Sequence, residues 1–122
     1  MSNSLLVIDL APLRTLSGND PAFMKDILEM ISTQSPQLLS QINQEYEQGD
    51  FKSMSQTAHK YKSSLQILGN PGLISMAQEI EDLAGSQIPS DRLTSLVDTF
   101  NSICDQLLDI IHEELLFLTK SV

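Results

Sequence analysis

Residues 51–68 read FKSMSQTAHKYKSSLQIL, and the spacing of six of them decides how the chain folds. Phe51, Met54, Ala58, Tyr61, Leu65 and Leu68 follow one another in steps of three and four, which on an α-helix draws a single apolar seam. A helix with one such seam has to bury it against other helices. The remaining residues then face away. At about 100° per residue His59 lies roughly 130° from the middle of the seam, and its neighbours on that surface, Lys52, Ser55, Gln56, Lys62, Ser63 and Gln66, are all polar.

Upstream of this helix, Gly49 is a left-handed stop and Asp50 a cap for the residues that follow. Before it, Leu38, Leu39, Ile42 and Tyr46 share one side of a helical segment that starts near Ser35 and Pro36. Further back, Asn19 or Asp20 caps a helix with Pro21 at its first position and Phe23, Ile27, Met30 and Ile31 at helical spacing. Whether Ser35 and Pro36 separate two helices or kink one longer helix is left open by the spacing, because a proline after a serine does either. Downstream, Gly69, Asn70 and Pro71 close the first helix. Leu73, Met76, Ala77, Ile80, Leu83 and Ala84 mark another that stops at Gly85. Pro89 and Ser90 open the last, whose stripe runs Leu93, Leu96, Val97, Phe100, Ile103, Cys104, Leu107, Ile110, Ile111, Leu115 and Leu118. No stretch keeps the two-residue alternation of a strand long enough for a sheet. Short connections make neighbours antiparallel, so the expected fold is all-α: an antiparallel up-down four-helix bundle with a short N-terminal helical extension. One domain over residues 5–118 is expected, with residues 1–4 and 119–122 as disordered ends.

At 41% hydrophobic, 122 residues suffice for a core without disulfides or metal. Seven Lys plus Arg against sixteen Asp plus Glu give a net charge of -9, the wrong sign for neutralising nucleic-acid phosphates. The single Cys104 lies in an apolar stripe and reads as a packed spacer in a reducing compartment. The N-terminal residues carry no basic stretch, and Leu5 to Ile8 is too short an apolar run for a signal peptide or a membrane span, so a cytoplasmic protein is expected. His59 and His112, without a second cysteine or a spaced carboxylate pair, make no metal site. His112 stands beside Glu113 and Glu114 and reads as a helix-flank residue. The chain has no glycine-rich phosphate loop, so neither ATP binding nor self-phosphorylation is expected.

Three of the seven basic residues, Lys52, Lys60 and Lys62, fall close around His59 although the chain as a whole is acidic. An exposed imidazole is largely neutral at physiological pH and offers a ring nitrogen as nucleophile. Ammonium groups nearby steady phosphoryl oxygens, and phosphoryl transfer is catalysed chiefly by positioning and such electrostatic stabilisation. Lys62, three residues on, shares the face of His59, and the small Ser63 one turn beyond leaves room for a phosphate and for an approaching partner.

The stretch Ala58-His59-Lys60-Tyr61-Lys62-Ser63-Ser64, followed by Leu68-Gly69 and then Leu73, Met76, Ala77 and Glu81, resembles the histidine-containing phosphotransfer (HPt) family. Leu13, Leu16, Gly18, Asp20 and Phe23 resemble the family's opening, and Gly49-Asp50 its turn before the histidine helix; the likeness spans residues 8 to 118. The resemblance implies that His59 is the phosphoacceptor, Lys62 the phosphate-stabilising lysine, Lys60 a helper, and Glu81 a supporting neighbour from the next helix. By its own spacing Glu81 falls about 90° from that helix's apolar stripe, on a flank that can face His59. Ser63, Gln56, Gln66, Lys52 and Ser55 would form the docking face, bordered by Ile67. The implied function is a phosphorelay intermediate, not an enzyme, that accepts a phosphoryl group from a receiver-domain aspartate and passes it to another receiver. Its implied partners are response-regulator receiver domains and a hybrid sensor histidine kinase. It needs no cofactor, since any Mg²⁺ belongs to the receiver, and it acts as a monomer with neither nucleic acid nor membrane. The competing readings are a helical module that docks receivers without transfer, and a structural bundle that dimerises through an apolar face. Two residues depart from the family pattern: Ser63 stands where glycine is usual and Tyr61 where leucine is frequent. If the small size of residue 63 is what docking requires, Ser63→Gly keeps the transfer rate and Ser63→Leu lowers it. Equal rates for the two variants in a transfer assay would remove the argument.

Overall fold

The computed structural model describes residues 8–88 and 90–121, and among these every regular element is helical. The helices are α1 (Ala11–Ser17), α2 (Pro21–Gln48), α3 (Phe51–Leu68), α4 (Pro71–Gly85) and α5 (Asp91–Ser121). Their ends are set by the residues that chain chemistry selects. Asp20 accepts from the Ala22 N–H with Pro21 at the first position of α2, Asp50 accepts from Ser53 N–H, and Asn70 accepts from Leu73 N–H with Pro71 behind it. Gly49 and Gly69 end α2 and α3 in the left-handed conformation. At α5 the Leu93 N–H donates to Ser90 Oγ, whereas Pro89 lies outside the described residues. Residues 1–4 also lie outside them. At the other end α5 runs through Ser121, with Leu118 still buried.

The structure answers the question that Ser35 and Pro36 left open, corrects one expectation in α2, and ends α4 at Gly85 as its spacing requires. Ser35 and Pro36 do not break the chain: α2 is one helix with Pro36 inside it. The proline removes one backbone donor, yet Ile31, Ser35, Leu38 and Leu39 on either side of it are all buried, and that packing carries the helix through. Phe23 and Met30 are 45% and 47% exposed, and the buried stripe of α2 runs instead through Met24, Leu28, Ile31, Ser35, Leu38 and Ile42. The steps of three and four are regular, but one of the six positions is filled by serine, which disguises the register. Gly85 ends α4 without entering the left-handed region; Gln87 takes the positive φ. What Gly85 supplies is space, since a Cβ there would stand 3.3 Å from Ser55 Oγ on α3.

α2 packs on α3 and α5, α3 on α4, and α4 on α5, so the four long helices close a ring around one core, while α1 packs on α2 and α3. Ser32 meets His112, Asn43 exchanges hydrogen bonds with Asn101, and Tyr46 meets Thr94, so α2 and α5 run in opposite directions. The seam of α3 is buried as its spacing requires, with Met54, Ala58, Tyr61, Leu65 and Leu68 inside and Phe51 partly so. The Tyr61 ring meets Phe100 edge-on at 5.8 Å between centroids. Burial raises the Tyr61 hydroxyl well above its ordinary pKa and pushes the Cys104 thiol up to about 12, so Cys104 is an inert, buried spacer.

The segment before α1 is tied to the end of α3 by the Asp9 N–H, which donates to the Leu68 carbonyl at 2.8 Å. A Cβ on Gly69 would lie 2.6 Å from the Asp9 carbonyl oxygen, whereas one on Gly49 would meet nothing within 4 Å. Both glycines have positive φ. Gly49→Ala therefore costs about 1 kcal/mol of backbone strain, and Gly69→Ala about 1–3 kcal/mol more for the collision. Urea midpoints of the two variants check this; equal losses would refute it.

Candidate functional site

His59 stands on the crest of α3, its side chain 63% exposed, because it is set opposite the buried seam. Its Nδ1 lies 3.0 Å from Glu81 Oε2 on α4. The second carboxylate oxygen, Oε1, accepts from Lys62 Nζ at 2.9 Å. Lys62 is only 12% exposed: it reaches across the α3–α4 groove and also donates to Gln78 Oε1. Gln78 Nε2 in turn donates to Asp82 Oδ1 at 2.9 Å. Ser55 Oγ donates to the Glu81 carbonyl at 2.8 Å, which fixes the backbone of α4 at this residue against α3.

Electrostatics follow from this geometry. Partial burial of Glu81 works to raise its pKa, but the hydrogen bonds from Lys62 and His59 outweigh it and hold the carboxyl below the usual carboxylate range. An ionised carboxylate is an acceptor only. The proton of a neutral His59 ring therefore sits on Nδ1, facing Glu81, and the lone pair is on Nε2, which takes no partner among the described residues.

Two hollows flank the crest. One, of about 350 Å³, opens on the α4 side and is lined by Lys62, Gln66, Ile74, Ser75, Gln78, Glu79 and Asp82. The other lies on the α2 side, lined by Gln41, Glu45, Ser53, Gln56, Thr57 and Lys60. The residues singled out from sequence are thus distributed. His59, Lys62 and Glu81 meet; Ser63 and Lys52 are exposed along the same crest; Gln66 faces α4; Gln56 and Lys60 line the α2 side, away from Glu81. Ser55 is half-buried with its hydroxyl turned to Glu81, and Ile67 is partly buried against the core at the end of α3 where α1 packs. Sequence reasoning missed Gln78 and Asp82. Their only signal is spacing, three residues before Glu81 and one after it on the same flank of α4.

His112 is exposed, with Nε2 3.1 Å from Ser32 Oγ, and bridges two helices as a flank residue. Among the described residues no group of three or more His, Cys, Asp or Glu could hold a metal ion, and no helix is long and apolar enough to cross a membrane.

Four long helices around one core thus hold an exposed histidine against a carboxylate and an ammonium. A family model for the Hpt domain matches residues 26–114, which take in α3, α4 and all the residues of the site, and the chain belongs to that family. Hpt proteins are phosphocarriers of two-component signalling that work with receiver domains and histidine kinases. Comparison with curated proteins and with solved structures returned no match.

The depressed Glu81 carboxyl has a consequence for stability. A group whose pKa is lowered on folding stabilises the protein above its unfolded pKa, and that contribution is lost as pH falls through the folded value. Glu81→Gln therefore destabilises the chain at about pH 7, and its deficit shrinks toward about pH 3. Urea unfolding at the two pH values measures the difference; a deficit that stays constant or grows in acid would contradict the assignment.

Proposed function

We propose that this chain is a phosphorelay intermediate that takes a phosphoryl group on Nε2 of His59 from a receiver-domain aspartate and yields it to another receiver. The single observation that carries the reading is the Nδ1 contact with Glu81, which leaves Nε2 as the nucleophile. In the forward step the Nε2 lone pair attacks phosphorus, the bond to the aspartyl oxygen breaks, and aspartate leaves as a carboxylate. The imidazole, still carrying its Nδ1 proton, becomes a phosphorylated cation. Glu81 offsets that positive charge, and Lys62 steadies the phosphoryl oxygens. The reverse sequence on a second receiver releases the group.

The remaining roles belong to the same proposal. Lys52, Gln56, Lys60, Ser63 and Gln66 rim the crest and meet the partner's surface, with Lys60 acting from the α2 side; Ser55 serves by holding Glu81. The four long helices form an antiparallel up-down bundle, consistent with the opposed directions of α2 and α5 and the short connections. The protein acts in the cytoplasm as a monomer, partnering a hybrid sensor histidine kinase and its receivers. It uses no cofactor of its own, the Mg²⁺ being the receiver's, and it does not phosphorylate itself.

Incubation with a phosphorylated receiver tests this. The native chain and His112→Gln acquire an acid-labile, base-stable label, and His59→Gln acquires none. Lys62→Ala slows acquisition about tenfold or more. Label on His59→Gln would end the proposal.

A further inference from the structure

Lys62 is the end of a chain of contacts, not a free cation. Its ammonium has three donors; one goes to Glu81 Oε1 and one to Gln78 Oε1, both on α4, which leaves the third to be directed. A lysine stem has high rotamer freedom, so where Nζ stands relative to His59 is set by these acceptors on α4. The Gln78 amide has two ends of similar size, and only its oxygen can face an ammonium; the reverse orientation would set donor against donor. Asp82, one helical turn on, decides between them by accepting from Nε2 at 2.9 Å. Asp82 itself is exposed, and the hydrogen bond that links it toward Lys62 runs through the amide.

We infer that Gln78 and Asp82 are positioning residues for phosphoryl transfer: Asp82 fixes the Gln78 amide oxygen on Lys62, and Gln78 with Glu81 holds the ammonium with its third N–H available to a phosphoryl oxygen on His59. The inference rests on the phosphorelay reading for its kinetic consequence and on geometry alone for the hold on Lys62.

Two measurements on the full chain separate these. In lysine-selective ¹H–¹⁵N spectra the native Lys62 ammonium gives a slowly exchanging signal, which disappears in Gln78→Leu and weakens in Asp82→Ala. In transfer from a phosphorylated receiver, Gln78→Leu lowers the rate at saturating receiver about fivefold to tenfold, the loss expected for one net hydrogen bond, with half-saturation unchanged. Asp82→Ala, at an exposed position that leaves the fold intact, lowers it about twofold to threefold and has no further effect in the Gln78→Leu background. An unchanged Lys62 signal in both variants, or effects that simply add in the double variant, would overturn the inference. Absence of label on the native chain would instead overturn the phosphorelay reading, while the Lys62 signal would still decide the positioning roles.

Discussion

The carboxylate of Glu81 serves two helix-α3 side chains at once, one oxygen for the His59 ring and one for the Lys62 ammonium. That double contact requires α3 and α4 to hold one register and one separation, for a shift of a single residue along α4 would rotate the carboxylate about 100° off the groove. The rest of the molecule can be understood as what secures this register. Ser55 grips the Glu81 carbonyl directly, and Gly85, lacking a side chain, lets the end of α4 come close enough to Ser55 for that contact to form.

Register is also imposed from the turn that joins the helix pair. The turn of Gly69, Asn70 and Pro71 admits little slack: Gly69 closes α3 in the left-handed conformation, and Asn70 and Pro71 start α4 at once. The strand of chain before α1 lies over that turn through Asp9, so Gly69 is required twice, for its backbone angle and for its missing Cβ. Arg92 donates from Nε and Nη2 to the two carboxylate oxygens of Glu79, which ties the start of α5 to α4; the contact lowers the Glu79 pKa and raises that of Arg92. Being exposed, this pair contributes placement more than stability. Beneath all of it, the buried seam of α3 fixes which face points outward. The exposure of His59 and the burial of Tyr61 and Leu65 are one fact seen from two sides.

The sequence made the helices legible because their ends are written in residues with a local mechanism: Asp20 and Asp50 as caps, Gly49 as a left-handed stop, and Gly69, Asn70 and Pro71 as the break between α3 and α4. It hid the register of the first half of α2, where Ser35 occupies a core position and Phe23 and Met30 supply apolar residues that the bundle leaves exposed. Polarity patterns report burial only when buried positions are apolar, and here one is not. The site divides in the same way. His59 and Lys62 could be found because they share a face of one helix, and Glu81 because its angle on the next helix permits contact. Lys60, implied as a helper by the family resemblance, stands about 100° round the helix from His59 and lines the hollow on the α2 side. Gln78 and Asp82 carry no signal of their own, since glutamine and aspartate on a helix flank are ordinary surface residues.

The two histidines show why the neighbour matters more than the residue. Both are exposed on helices, and each makes one contact to the adjoining helix. His112 meets the hydroxyl of Ser32 through Nε2, a neutral partner that uses the outward nitrogen and offers no charge to a cationic ring. His59 meets a carboxylate through Nδ1, which leaves the outward nitrogen free and places a negative charge where a phosphorylated imidazole would become positive. An anionic phosphoryl group arriving at His59 would also find an ammonium whose own counter-charge is already held by α4. At His112 it would find Glu113 and Glu114 next along the chain. The chemistry of the imidazole is the same in both places; the difference lies in what the neighbouring helix brings to it.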